Sequence, residues 1–149
     1  MCFATKADAE RFRRAIGTRL AKSGLEVEPT KTKVLAFGPH AAARAKRKSK
    51  PETFDFLGFT HYCGRTRNGQ RFRMKRVTAR KKFRAKLAAF KQWLKDNRSR
   101  MSTRELWLKA CAKMRGHYGY YGVTDNSPGI GRFHEEAKKL LLKWLNRRS

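Results

Sequence analysis

The sequence predicts an α+β fold in which β-hairpins come first and three amphipathic helices follow. Asn68-Gly69 separates two strand-like segments, and this dipeptide is a strong hairpin signal. From residue 78 onward, apolar residues recur at helical spacing. The chain has 149 residues, of which 40% are hydrophobic, enough for one domain or two small modules with packed cores. We place a boundary at residue 77, between an α+β part (residues 1–77) and a helical part (residues 78–149).

The first predicted element is a helix that begins after Thr5, with Asp8 in its first turn near the positive end of the helix dipole. Its apolar face repeats every four residues: Phe12, Ile16 and Leu20. Gly24 is expected to end it. Residues 25–28 and 33–37 then predict two strands joined by a turn at residues 29–32.

A basic segment without large apolar side chains follows at residues 39–51 and predicts a mobile loop. Two compatible interpretations stay open, a solvated connector and an arm that contacts phosphates. The candidate RNA-binding residues of this segment are Arg44, Lys46, Arg47 and Lys48.

Residues 53–60 are dense in aromatics and predict a return to sheet structure, in which Gly58 marks a bulge or a close backbone approach. Residues 60–66 and 70–77 predict the two arms of the Asn68-Gly69 hairpin. Alternation in the second arm places Phe72 and Met74 on one face. The opposite face offers cations to water or to a phosphate backbone: Arg71, Arg73 and Lys75.

The first helix of the helical part is predicted from a Thr78 cap to about residue 97. Its apolar stripe consists of Phe83, Leu87, Phe90 and Leu94. Beside that stripe lies a row of cations, also at helical spacing: Arg80, Arg84, Lys91 and Lys95.

Ser102 and Glu105 predict a capping box at the start of a second helix. The expected inward side of this helix is Trp107, Ala110, Cys111, Met114 and Tyr118. Residues 126–129 interrupt the pattern, and a third helix is expected to face inward with Phe133, Ala137, Leu140, Leu141 and Trp144. Three such helices share one small core.

The charge is the outlying property of the composition. There are 38 Lys and Arg residues against 11 Asp and Glu, for a formal net charge of +27. So large an excess repels itself in a compact fold, and a polyanionic partner is the usual compensation. No apolar run has the length of a membrane span and no lipidation motif is visible, so nucleic acid is favoured over phospholipid.

The three cysteines, Cys2, Cys63 and Cys111, lack the spacing of a disulfide framework or a zinc site. Together with the lack of a signal peptide at Met1, they predict a cytoplasmic protein with reduced thiols. The four histidines stand singly and the carboxylates are scattered, so the residues predict no metal, no cofactor and no catalytic group.

Three segments together resemble the group II intron reverse transcriptases, the maturases. Residues 24–33 (G-L-E-V-E-P-T-K-T-K) are similar to a palm segment of that family, and residues 54–59 (F-D-F-L-G-F) to its primer-grip block. Residues 115–123 (R-G-H-Y-G-Y-Y-G-V) resemble an element of its maturase-specific helical domain. In this order they cover essentially the whole chain. The resemblance implies the end of a palm with β-hairpins (residues 1–77), followed by a thumb-like three-helix maturase domain (residues 78–149).

The resemblance also implies roles for individual residues. Lys31 corresponds to a palm lysine near the incoming nucleotide's phosphates. Phe56, Leu57, Gly58 and Phe59 correspond to the segment that holds the primer end. Arg115 and Tyr120 are candidate RNA contacts, whereas Tyr118 and Tyr121 are assigned to packing.

In the family, a Y-A-D-D turn with two metal-binding aspartates precedes a short strand that Met1-Cys2-Phe3-Ala4 matches. The fingers, most of the palm and the aspartates are therefore expected to be missing, so the chain is expected not to be an enzyme on its own. The implied function is binding group II intron RNA and assisting its folding or splicing. Two alternatives stay open: the C-terminal half of a split or miscalled reverse transcriptase, with an N-terminal fragment as partner, or an inactive mobile-element remnant.

Overall fold

The computed structural model describes residues 1–48 and 51–147, and residues 44–48 by their backbone only. The chain divides into two compact units, Met1–Glu52 and Thr53–Ser149. Each unit is α-helical in part, and the second also contains a three-stranded antiparallel sheet, so the fold is α+β. The division after Glu52 differs from the boundary predicted from the sequence. That predicted boundary, at residue 77, falls inside the second unit.

Helix α1 of the first unit (Lys6–Ala21) begins as predicted. Thr5 is its N-cap, and the Thr5 hydroxyl accepts a hydrogen bond from the Asp8 N–H at 3.1 Å. The predicted apolar stripe is half-buried along its length, and Gly24 follows the helix with φ +69°. None of the described residues of this unit is fully buried.

Helix α2 (Pro39–Lys48) corrects the prediction of a mobile loop. Pro39 stands at the first helical position, where its ring favours helix and its missing N–H has no partner to lose. Apart from His40, the residues after it are alanine, arginine and lysine, all strong helix formers. The segment forms a helix without an apolar stripe, and for that reason periodicity did not reveal it.

The prediction of two strands at residues 25–28 and 33–37 was wrong. Neither segment is a strand, and the described part of Met1–Glu52 contains no strand with which they could pair. Local bonds shape the turn instead, because the N–H groups of Lys31 and Thr32 both donate to the Glu28 carbonyl. A strand is stable only when its backbone groups find a partner strand.

The sheet of the second unit has the order β1-β2-β3: β1 (Phe54–Phe56), β2 (Phe59–Arg65) and β3 (Phe72–Thr78). The predicted hairpin around Asn68-Gly69 joins β2 to β3 and is confirmed. Gly69 has φ +71° and its N–H donates to the Thr66 carbonyl at 2.9 Å.

A second, tighter hairpin joins β1 to β2 through Leu57 and Gly58. Phe56 pairs with Phe59, so only two residues form the loop, and both have positive φ (48° and 81°). This is the geometry of a type I′ turn. The predicted close backbone approach at Gly58 is also present, since a Cβ there would lie 2.9 Å from the Tyr121 hydroxyl.

Three helices form the rest of the unit: α3 (Arg80–Asn97), α4 (Thr103–Tyr121) and α5 (Ser127–Leu145). The capping box of α4 is confirmed, with the Ser102 hydroxyl accepting from the Glu105 N–H and the Glu105 carboxylate accepting from the Ser102 N–H. That bond from the Ser102 N–H lowers the pKa of Glu105. The predicted inward residues of α3 and α5 pack into or against one core.

Two details of the helices correct the prediction. Thr78 is the last residue of β3, where it pairs with Phe59, so the N-cap of α3 is Ala79. Trp107 is 50% exposed, and the buried residue of that turn is Leu106. Leu106, Ala110 and Met114 repeat every four residues, and this phase turns Trp107 outward.

A short 3-10 helix (Thr124–Asn126) ties the sheet to the bundle through the fully buried Asn126. The Asn126 amide donates to the Thr78 hydroxyl (2.7 Å) and the Tyr121 carbonyl (2.9 Å). Its oxygen accepts from the Thr78 N–H at 3.0 Å. One side chain therefore joins the end of β3, the end of α4 and the start of α5.

Across the described residues, no helix combines the length and the apolar character needed to cross a membrane.

Candidate nucleic-acid interface

The predicted cation row on α3 lies on the surface. All four side chains are exposed, and the helical spacing places them along one flank of α3, next to the core stripe: Arg80, Arg84, Lys91 and Lys95. None of them forms an ion pair within the described residues. This cation row is a line of unneutralised charge on a rigid helix.

The three predicted cations of the hairpin behave differently from one another. Arg71 is exposed. Arg73 lies 3.7 Å from the Asp125 carboxylate, so its charge is partly neutralised. Lys75 is half-buried, with its methylene chain lying over Gly64. The hairpin therefore offers fewer free cations than alternation predicted.

The opposite flank of α3 borders a groove of about 700 Å³ between α3 and α4. Phe133 of α5 contributes to its lining, because α5 packs against both helices. Leu57 and Gly58 of the type I′ turn belong to the same lining. Three lysines line it, and no carboxylate is among its described lining residues: Lys82, Lys86 and Lys113.

Aromatic rings share this α3–α4 groove with the lysines. The Lys113 ammonium lies 4.9 Å from the centre of the Trp93 ring, a cation–π contact. Tyr120 is 55% exposed although its ring stacks on Phe59 at 5.9 Å. The Tyr120 hydroxyl donates to the Leu57 carbonyl at 2.8 Å, which holds the ring in place.

His117 lines the groove as a neutral side chain. Its ring stacks on Phe133 with centroids 3.6 Å apart. Burial, with a smaller contribution from the charge of Lys86, lowers the pKa of His117 to about 4. The groove therefore draws its positive charge from lysines rather than from this histidine.

The residues singled out by resemblance lie in both units. Lys31 is exposed in the turn of the first unit, while the primer-grip-like segment forms the β1–β2 turn of the second. Within that turn, Phe56 and Leu57 are 59% and 67% exposed, whereas Phe59 is buried. Arg115 is exposed on a part of α4 that does not line the groove.

The remaining site predictions fall outside the described side chains. Arg44, Lys46, Arg47 and Lys48 lie in α2, whose backbone alone is described at these positions. Among the described residues, no group of three or more histidine, cysteine, aspartate or glutamate side chains is placed to hold a metal ion.

Sequence reasoning missed the lysines of the groove and Trp93. Lys82 and Lys86 stand at i and i+4, but on the flank of α3 opposite the row that was noticed. The signal that was present is the spacing of Lys82, Lys86 and Trp93, which puts a ring and two cations along one side of a helix. Lys113 and Tyr120 belong to α4, and they reach the same groove only because α3 and α4 both pack against α5.

Comparison of the chain with known protein families, curated proteins and solved structures finds no match.

Proposed function

We propose that the protein binds structured RNA and assists the folding or splicing of a group II intron, as a maturase-like protein. The cation row of α3 carries this proposal, because it is exposed and unpaired on a helix whose other face is anchored in the core. A rigid row of cations suits the regular spacing of a phosphate backbone. In the same proposal, the hairpins correspond to the end of a palm and α3–α5 to a thumb-like maturase domain.

The proposed activity requires affinity rather than catalysis. Group II introns carry out their own transesterification, as the resemblance implies, so the protein contributes by holding the folded RNA. Polymerase activity of this chain alone is not part of the proposal. RNA-templated primer extension by the purified chain in Mg²⁺ would contradict that part of it.

The test is the salt dependence of binding to a folded group II intron RNA segment. We expect log K to fall linearly with log salt, with a slope of about −0.7 to −0.9 for each phosphate contact. Replacing Arg80, Arg84, Lys91 and Lys95 together with glutamine should make the slope shallower by about 3 units, since four contacts are removed. Far-ultraviolet circular dichroism should show unchanged helix content.

A control variant removes the same charge from α5 by replacing Arg132, Lys138, Lys139 and Lys143, all exposed, with glutamine. Glu135 and Glu136 share that helix, and Lys139 is paired with Glu136 at 3.1 Å, so we expect a smaller change in slope. An equal change in both variants would show that net charge, not the α3 row, controls binding. Binding with no salt dependence would overturn the proposal itself.

A further inference from the structure

We propose that the α3–α4 groove binds unpaired nucleotides of an RNA strand, with the lysines on phosphates and the exposed Tyr120 ring against a base. The inference rests on the proposed RNA-binding function and adds a second, chemically different surface to it. The cation row suits a continuous backbone, whereas the groove combines cations with rings. That combination is the one by which proteins bind single strands.

The positive charge of the groove favours binding of an anion. Its lining contains Lys82, Lys86 and Lys113, with no carboxylate among the described lining residues. Three ammonium groups around one groove repel one another, and a bound phosphate chain would relieve that repulsion. Long lysine side chains also reach a backbone that varies in position.

The exposed aromatic ring in the groove favours an anion that also carries flat bases, such as a nucleic-acid strand. Tyr120 is held by Phe59 and by its bond to the Leu57 carbonyl, yet 55% of its surface remains exposed. A ring that is already fixed loses little conformational freedom when a base stacks on it. Trp93 has a different role, because its ring is stacked with Phe90 and lies 4.9 Å from the Lys113 ammonium, so it positions that lysine. Base stacking in the groove is therefore assigned to the Tyr120 ring.

Gly116 adds a third argument. It lies within α4, where glycine is less favourable than alanine, and it lines the groove. A Cβ at Gly116 would meet nothing within 4 Å, so packing inside the chain does not require glycine there. Glycine at this position leaves the α4 backbone open to a ligand in the groove.

The experiment measures binding of a labelled single-stranded oligouridylate of about 12 nucleotides and, separately, of a fully paired RNA hairpin. Replacing Lys82 and Lys86 with glutamine should weaken single-strand binding about tenfold, since two phosphate contacts of ~0.7 kcal/mol each are lost. Hairpin binding should change less. The matched control, Arg84 and Lys91 to glutamine, removes the same charge from the other flank of α3 and should show the reverse preference.

The stacking part is tested with Tyr120→Leu and Tyr120→Phe. Leucine should weaken single-strand binding about tenfold, while phenylalanine, which keeps the ring, should retain most of it. A polyphosphate chain should compete poorly with the oligouridylate, because it has no bases. Equal competition by polyphosphate, or by polyglutamate, would overturn the assignment to RNA bases.

Gly116→Ala separates a binding defect from a folding defect. Alanine should raise the urea midpoint of unfolding while weakening single-strand binding severalfold. Gly119→Ala, in the same helix but outside the groove lining, should stabilise without affecting binding.

The two proposals fail in different ways. If the groove variants leave single-strand binding unchanged while the cation-row variant still weakens hairpin binding, the groove assignment is wrong and the proposed function stands. If the unmodified protein binds neither RNA in a salt-dependent way, the proposed function is wrong as well.

Discussion

At the scale of single residues, the turn between β1 and β2 requires two consecutive residues with positive φ, Leu57 and Gly58. Leu57 is the one described residue other than glycine with positive φ. Such a conformation costs a leucine ~1–2 kcal/mol. The bond from the Tyr120 hydroxyl to the Leu57 carbonyl, and the contact of Gly58 with Tyr121, hold the turn in this shape.

Gly58→Ala should lower the free energy of unfolding by ~2–3 kcal/mol, because a left-handed alanine is strained and its Cβ would crowd the Tyr121 hydroxyl. Gly69→Ala is the matched control. It has a similar φ of +71° but open space around the Cβ, so only the ~1–2 kcal/mol of strain applies. Urea denaturation measures both. Adding Tyr121→Phe should recover part of the Gly58→Ala loss, and no recovery would show that crowding by the hydroxyl is unimportant.

His117 makes the second unit sensitive to acid. Its pKa is about 4 in the folded protein and near 6.5 in the unfolded chain, so the unfolded chain binds the proton first as the pH falls. The stabilisation is complete above about pH 6.5 and is lost progressively down to about pH 4.

His117→Phe, which keeps a flat ring on Phe133, should therefore flatten the decline in stability between pH 6.5 and 4. Chemical denaturation at a series of pH values gives this slope. His40→Phe, at an exposed position of α2, serves as the control for replacing a histidine with phenylalanine. A parallel decline in His117→Phe and the unmodified protein would contradict the role given to His117.

At the scale of elements, the sheet and the bundle are joined through a polar residue. Asn126 is fully buried and makes three hydrogen bonds that reach β3 and α4. Gly129 makes room for it, since a Cβ there would lie 2.3 Å from the Asn126 amide oxygen. Residues 126–129, which the sequence marked only as a helix break, thus contain the joint between elements.

Asn126→Ala should lower the free energy of unfolding by about 3 kcal/mol. Three hydrogen bonds are lost, at ~1 kcal/mol each, and the groups that bonded to Asn126 are left without that partner. Thermal or urea denaturation measures the change. Ser127→Ala removes a neighbouring exposed bond to the Thr124 carbonyl and should cost well under 1 kcal/mol. A loss of similar size in the two variants would show that Asn126 does not have this joining role.

At the scale of the whole molecule, the two compact units differ in what they bury. The described part of Met1–Glu52 has no buried residue, whereas Thr53–Ser149 has a hydrophobic core shared by three helices. Hydrophobic burial is the main favourable term in folding. Stability is therefore expected to reside in the second unit.

We expect residues 53–149 expressed alone to unfold cooperatively and to protect their helical amides from exchange. Residues 78–149, the helical part predicted from sequence, should also fold but with lower stability, because Tyr121 loses its contacts with Gly58 and Phe59. Residues 1–52 alone should show little protection. Hydrogen exchange followed by mass spectrometry tests all three. A cooperatively folded 1–52 piece would show that burial underestimates the stability of that unit.

The sequence by itself determined the elements whose cause is local. The α1 cap at Thr5, the Ser102–Glu105 capping box, the Asn68-Gly69 hairpin and the stripes of α3 and α5 follow from neighbouring residues, so they were predicted correctly. The net charge of +27 likewise follows from composition alone, and with it the expectation of a polyanionic partner.

Tertiary structure decided everything that depends on distant partners. Residues 25–28 and 33–37 have strand-like composition, but no partner strand is present for them in the described part of their unit. Thr78 belongs to β3 rather than capping α3, because Phe59 and Asn126 hold its backbone and hydroxyl. The α3–α4 groove exists because both helices pack against α5, and this packing brings together lysines and rings that are far apart in sequence. Local pattern specifies an element, whereas a binding surface depends on how elements pack, and packing energy is a property of the assembled core.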